Sequence, residues 1–188
     1  RGVTGHCHLY DAIGASTADD GHRGPSDSVP AQAGVHVIEA ITIHRSPAEV
    51  YAFWRDYANL PKFMTDIESV TATDPSGQSS HWVARAALDK TIEWDAIIHN
   101  ENPGEMIAWR SVGGDIDTAG SVHFLPAPGG LGTEVRVDQK IYAPGGRLAA
   151  AVAGLLGHAP STSTRDSLRR LKQILETGEI ATSGDPSA

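Results

Sequence analysis

Ser46-Pro-Ala-Glu-Val-Tyr-Ala-Phe-Trp-Arg-Asp-Tyr-Ala-Asn-Leu-Pro-Lys-Phe-Met64 begins a helix and stops it again almost at once. Ser46 suits an N-cap, Pro47 the first helical position, and Glu49 the return position of a capping box. Val50, Phe53, Trp54 and Tyr57 follow at helical spacing, and Pro61 interrupts, so Leu60 to Met64 reads as a second short helix or turn. Just upstream, Val35-His-Val-Ile-Glu-Ala-Ile-Thr-Ile-His44 alternates β-branched and polar residues as a half-buried strand does. A strand feeding two short helices is thus the opening of the domain.

Downstream, apolar runs are separated by turn chemistry. Four to six strands are expected: Ile67 to Thr73, Ser80 to Ala87, Thr91 to Asn100, Glu105 to Val112, Ala119 to Leu125 and Thr133 to Tyr142. Asp74 to Gly77, Leu88 to Lys90, Asn102 to Gly104, the Gly113-Gly114 pair and Pro126 to Gly132 mark the turns. Parallel crossovers need a dozen or more residues, so such short connections predict an antiparallel meander. The last element is helical. Arg147 to Leu156 is rich in Ala and Leu, Gly157-His-Ala-Pro160 should break it, and the helix should resume after a Ser/Thr cap. Leu168, Leu171, Ile174 and Leu175 then share one face, and Gly178 ends it.

At the extremes the pattern fades. Residues 1–34 are rich in Gly, Ser, Asp and Pro and read as linker; residues 179–188 form a polar tail. The domain is expected over residues 35–178. A net charge of −8 argues against nucleic acid and against docking on anionic lipid through a basic patch. Cys7 is the single cysteine, which rules out an internal disulfide. No run approaches the roughly 18 apolar residues of a membrane span. Arg1 rather than Met at the start suggests the downstream part of something longer.

In order and in local sequence, the chain resembles the START-like or SRPBCC superfamily of polyketide cyclase/dehydrase type. Ser46 to Met64 resembles that family's first strand-to-helix segment. Glu93-Trp-Asp-Ala96, Pro103-Gly-Glu-Met-Ile-Ala-Trp-Arg-Ser111 and Gly132-Thr-Glu-Val-Arg-Val137 resemble its central strands. The resemblance implies an α+β helix-grip fold: a curved antiparallel sheet of six to seven strands around a long, kinked C-terminal helix. It also implies an apolar small-molecule pocket, while leaving activity open. Separately, Arg1-Gly-Val-Thr-Gly-His-Cys-His-Leu-Tyr10, running on to Gly14, resembles the tail of a small bacterial inner-membrane module. That implies a cytoplasmic domain tethered to the inner face of the membrane only through an upstream segment absent from this chain.

Alternation assigns the faces. Glu134, Arg136, Asp138 and Lys140 must face water, because burying four charges would cost more than a sheet recovers. Val135, Val137, Gln139 and Ile141 then face inward. By the same reasoning Trp94, Ala96 and Ile98 oppose Glu93 and Asp95, Ile107 and Trp109 oppose Arg110, and Val122 and Phe124 oppose Ser121 and His123. Trp82 is the inward residue of its strand. The expected lining is Trp82, Trp94, Trp109, Val122, Phe124, Val137 and Gln139 from the sheet, with Val152 from the helix. The tryptophans either stack on a flat ligand or fill the core; Gln139 either orients a ligand oxygen or satisfies a backbone group. Trp54, on its helical period, belongs to the core.

Reactive chemistry is harder to find. Glu93 and Asp95 lie about 7 Å apart on a wet face, where acid–base work is poorly supported. His123 beside an outward face is expected in solvent. His6-Cys7-His8 lacks the ligand spacing of a zinc site, and Gly129 to Gly132 has no helix after it to cradle a phosphate. No cofactor or metal is therefore expected. The first reading is a binding module for a lipid, quinone or polyketide-like compound. A cyclase or dehydrase is the second, needing His123, Gln139 or Asp95 in the cavity. The third is a ligand-free interaction domain with an exposed apolar patch near Leu148 to Leu156.

Overall fold

A computed structural model describes residues 34–85, 91–142 and 160–178 of the chain. Strand β1 (Val35–Ile43) leads into helix α1 (Pro47–Arg55), a 3-10 turn (Tyr57–Asn59) and helix α2 (Leu60–Phe63). Six further strands follow: β2 (Ile67–Ala72), β3 (Ser79–Arg85), β4 (Thr91–Asn102), β5 (Met106–Gly114), β6 (Asp117–Pro126) and β7 (Thr133–Tyr142). Helix α3 (Pro160–Thr177) closes the described chain.

The start of α1 forms as its local chemistry dictates. Ser46 Oγ accepts from the Glu49 N–H at 3.4 Å, and Glu49 Oε2 accepts from the Ser46 N–H at 2.9 Å. The Ser46 side-chain and backbone hydrogen bonds hold the Glu49 carboxyl below its ordinary range. Asp56 then caps the 3-10 turn by accepting from the Ala58 N–H.

The sheet is entirely antiparallel, in the order β1-β7-β6-β5-β4-β3-β2. Six strands form the expected meander, and β1 returns to pair with β7 without a break from Val35↔Ile141 to Ile43↔Thr133. Between β4 and β5 the register shifts at Asp95/Ala96 and again at Ile98/Asn100. Such irregularities bend and coil a sheet, and here they help it curve around the helix in the helix-grip arrangement.

The Gly113-Gly114 pair corrects one expectation. Both residues lie within β5, and Asp115-Ile116 makes the connection to β6. Gly114 has φ +115°, and a Cβ there would run into Glu93 O and Trp94 Cα. The glycine is required for close backbone approach rather than for a turn.

The core lies between the concave face and the three helices. Val50, Trp54 and Phe63 meet Val122, Phe124 and Val135 from the sheet, with Leu168 and Leu171 from α3. Tyr51 meets the Phe124 ring edge-on at 5.8 Å, and Trp54 meets it at 6.1 Å. Pro160 begins α3 instead of preceding it, so the Ser/Thr run lies inside the first turns and not at a cap. The missing N–H of proline costs nothing at a helix start. Gly178 follows the helix at φ +77°, its N–H donating to Ile174 O at 2.9 Å. Residues 1–33, the expected Arg147–Leu156 helix with its break and Val152, and the tail 179–188 lie outside the described residues. Among the described residues no helix is long and apolar enough to cross a membrane.

Candidate functional site

Three cross-strand rows on the concave face explain the site. In the first, Val70 pairs with Trp82 and Trp82 with Trp94. In the third, Ile98, Trp109, Gly120, Gln139 and Val37 pair in succession across five strands. Between them runs a row of small side chains: Ser80 opposite Ala96, Ala96 opposite Ser111, and Thr118 beside Ser111. Bulk on both flanks and little in the middle leaves a trough.

The helix repeats this economy from above. Ser163, Thr164 and Ser167 occupy the inward face of α3 over the trough, one and two turns before Leu168 and Leu171 enter the core. Small residues below and above leave a cavity of about 200 Å³ between sheet and helix. Ser80 and Ala96 are each 3% exposed and Thr118 6%, so the hollow is deep.

The sequence-predicted lining residues divide. Trp82, Trp94, Trp109, Val137 and Gln139 all line this cavity. Val122 and Phe124 do not: they point to the concave side as expected, but Tyr51 and Trp54 of α1 cover them and they belong to the solid core. Alternation gives the face of a strand, not the height along it. Val152 lies outside the described residues. Trp54 is core as expected, and one side of it also borders the cavity. Trp82 and Trp94 stack on each other, centroids 5.6 Å apart and planes 18° from parallel, which fixes both rings before any ligand arrives.

Polar groups on the wall are few. Trp82 Nε1 donates to Ser80 Oγ at 2.9 Å, and Ser80 donates to Ala96 O at 3.4 Å. Gln139 Nε2 donates to Thr164 Oγ1 at 3.1 Å, tying β7 to α3. Ser163 Oγ donates to Asp66 Oδ2 at 2.6 Å, tying the same helix to the start of β2. Arg55 and Asp66 are the basic and acidic side chains on the wall among the described residues. Sequence reading missed Asp66, Ile116, Thr118 and the α3 hydroxyls. For the latter the signal was present: 163, 167 and 171 fall on one helical stripe, as do 164, 168, 171 and 175.

Arg55 is not free to act alone. Its Nε donates to Glu101 Oε1 at 2.7 Å, and Glu101 also accepts from Tyr51 Oη at 2.7 Å and Gln78 Nε2 at 3.0 Å. Burial pushes the Glu101 carboxyl upward, but the hydrogen bonds from Tyr51, Gln78 and Arg55 outweigh it and hold the group below its ordinary range. Burial, then Glu101, pushes the Tyr51 phenol up to about 12.

The other candidate acids and bases are elsewhere. Glu93 and Asp95 stand on the convex face with side chains more than half exposed, flanking His81 at 3.5 and 2.8 Å. The Asp95 hydrogen bond, reinforced by Glu93, raises the His81 pKa. His123 is half-buried rather than in free solvent, next to Ser121 at 3.2 Å. Burial, and then Arg136, lowers its pKa. None of these four side chains is on the cavity wall. Among the described residues no cluster of His, Cys, Asp and Glu could hold a metal ion.

Residues 43–169, well over half of the chain, match the family model described as polyketide cyclase / dehydrase and lipid transport. A crystal structure of a Deinococcus radiodurans protein is 36% identical, with TM-score 0.63, covering 77% of this chain and 99% of that one. The Zhui aromatase/cyclase of Streptomyces sp. R1128 shares the fold at TM-score 0.59 and 10% identity, covering 77% of this chain and 97% of its own. An uncharacterized 17.2 kDa protein of Streptomyces lincolnensis is 32% identical over 89 residues, 47% of this chain; the match spans only 57% of that protein.

Proposed function

The chain belongs to the polyketide cyclase/dehydrase and lipid transport family, and from that premise we propose that it binds a hydrophobic small molecule between its sheet and α3. The observation that carries the reading is the trough: small side chains face one another across about 200 Å³ while tryptophans wall the sides. A well-packed interior has few voids larger than water, and an apolar hollow near 150 Å³ already admits benzene. This one suits a compound of one or two rings, or part of a longer one.

Carriage or sensing is favoured over acid–base catalysis. His123 and Asp95 lie off the cavity wall, and Gln139, which lies on it, does not titrate in water. Asp66 is the one observation that favours a cyclase or dehydrase, since it puts a carboxylate on the wall. Asp66→Asn would separate the two readings: a carrier keeps its ligand affinity, and an enzyme loses turnover. The likeness of residues 1–14 to the tail of a membrane module supports a site working close to a bilayer. Membrane fractionation of the native protein tests that placement.

The direct test is retention. The purified full chain is incubated with a bacterial lipid extract, re-isolated and analysed by mass spectrometry. An apolar species held near one per chain and quenching the tryptophans is the expected result. Nothing retained by the folded chain would remove the proposal.

A further inference from the structure

Resting on the carrier reading, we infer that the cavity selects a neutral ring compound bearing a hydroxyl, whose O–H is read by Gln139 with Thr118 beside it. The argument begins with an amide whose two ends differ. Gln139 Nε2 donates one of its two protons to Thr164 Oγ1, which pins the amide and leaves Oε1 as its acceptor end. Among the described residues nothing donates to it. Thr118 is the second group: 6% exposed, on the cavity wall, its hydroxyl without a partner among the described residues. Buried polar groups in native proteins are rarely left unpaired, so the buried Thr118 hydroxyl, with the half-buried Gln139 amide on the same wall, points to a missing partner.

The two groups are neighbours. Thr118 pairs with Ile141 and Gly120 with Gln139, which makes Thr118 and Gln139 diagonal partners on adjacent strands, about 7–8 Å apart at the backbone. Between them lies Gly120, where a Cβ would stand 2.5 Å from Asp138 O and 2.8 Å from Gln139 Cβ. Glycine there lets β6 and β7 approach closely and leaves no side chain in the row between Trp109 and Gln139. On the far side Trp109 pairs with Gly120, so a ring lying along the indole brings its edge to the two polar groups.

Chemistry then narrows the occupant. An acceptor-only Oε1 calls for a donor, which a hydroxyl has and a ketone or ether lacks; the Thr118 hydroxyl can donate to the oxygen of the same ligand group. Anions gain little, because Arg55 is already paired with Glu101 at 2.7 Å and Asp66 adds negative charge to the wall.

Titration calorimetry of the full chain with naphthalene, 2-naphthol and 2-methoxynaphthalene tests this, using wild type, Thr118→Val and Gln139→Leu. For wild type, 2-naphthol should bind about tenfold more tightly than naphthalene, one net hydrogen bond's worth. The methoxy compound, which keeps the oxygen Thr118 donates to and loses the proton Gln139 reads, should bind more weakly than 2-naphthol. Each substitution should shrink the advantage of 2-naphthol over naphthalene. Thr118→Val is isosteric and keeps the backbone bond to Ser111, so it carries the test even where Gln139→Leu loosens α3. Equal binding of 2-naphthol and naphthalene by wild type overturns the selectivity and leaves the carrier reading standing. A preference that survives both substitutions overturns the choice of residues. A folded chain that binds none of the three overturns both the inference and the carrier reading beneath it.

Discussion

Replacing Ala96 by leucine turns the hollow into a question of sign. Ala96 is 3% exposed and sits mid-row between Ser80 and Ser111, facing the cavity. Leucine adds three carbons. If they grow into vacant apolar space, burial at about 0.8 kcal/mol per methylene gives roughly 2 kcal/mol of added stability. The gain has room beneath its ceiling: an empty cavity of about 200 Å³ forgoes on the order of 5 kcal/mol at about 24 cal/mol per Å³. In a filled core the same substitution overpacks and costs about 1–3 kcal/mol. Urea unfolding at constant m-value reads the difference as a move of the midpoint up or down. Ala96→Leu should raise the midpoint and, by occupying the ligand's space, abolish 2-naphthol binding. A lowered midpoint with unchanged binding would refute the trough as the ligand's seat.

Three further outcomes follow from the geometry. Tyr51 has a folded pKa of about 12 against about 10 unfolded, so its contribution is complete below pH ~10 and drains away as pH climbs through ~12. Tyr51→Phe should therefore flatten the alkaline limb of stability against pH, and an unchanged slope would contradict the buried bond to Glu101. Glu101 has the opposite sign: its folded pKa lies below the ordinary value, so its contribution holds above about pH 4.3 and fades as pH falls through the folded value. Glu101→Gln should make the protein less sensitive to acid in the same urea series. Gly114→Ala places a Cβ against Glu93 and Trp94 at a left-handed φ, at a cost of about 1–3 kcal/mol. The thermal midpoint should drop by several degrees, with altered tryptophan fluorescence, and a neutral result would mean that the strand pair can part there.

What could be read in advance was local or periodic. The capping box at Ser46 and Glu49 depends on residues three apart, and it formed as read. The alternation of β7 fixed its faces because charge cannot follow hydrocarbon into the interior. Where the outcome depended on segments far apart in the chain, reading failed. Phe124 has the face its alternation predicts, but nothing in β6 announces that α1 will cover it. Asp66 reached the wall through its bond to Ser163, 97 residues away, which no periodicity records. Gly113 and Gly114 have the composition of a turn, yet Gly114 stands against the backbone of Trp94, a strand away. Alternation places Ala96 on the inward face, but nothing local marks Ser80 and Thr118 as its partners in the floor of the trough. A hollow is made by residues that do not fill it.

The strand order carries one more implication. β1 and β2 stand at opposite ends of the sheet and do not pair with each other, so the curl is never sealed. A closed barrel can widen only by stretching its ladders or changing strand tilt and shear. Here the two margins are joined through α3, which holds β1 by Arg165 on Glu39 and Lys172 on Thr42 O, and the approach to β2 by Ser163 on Asp66. Any change in the width of the trough must therefore be taken up by those few side-chain bonds to α3 and not by the backbone ladders.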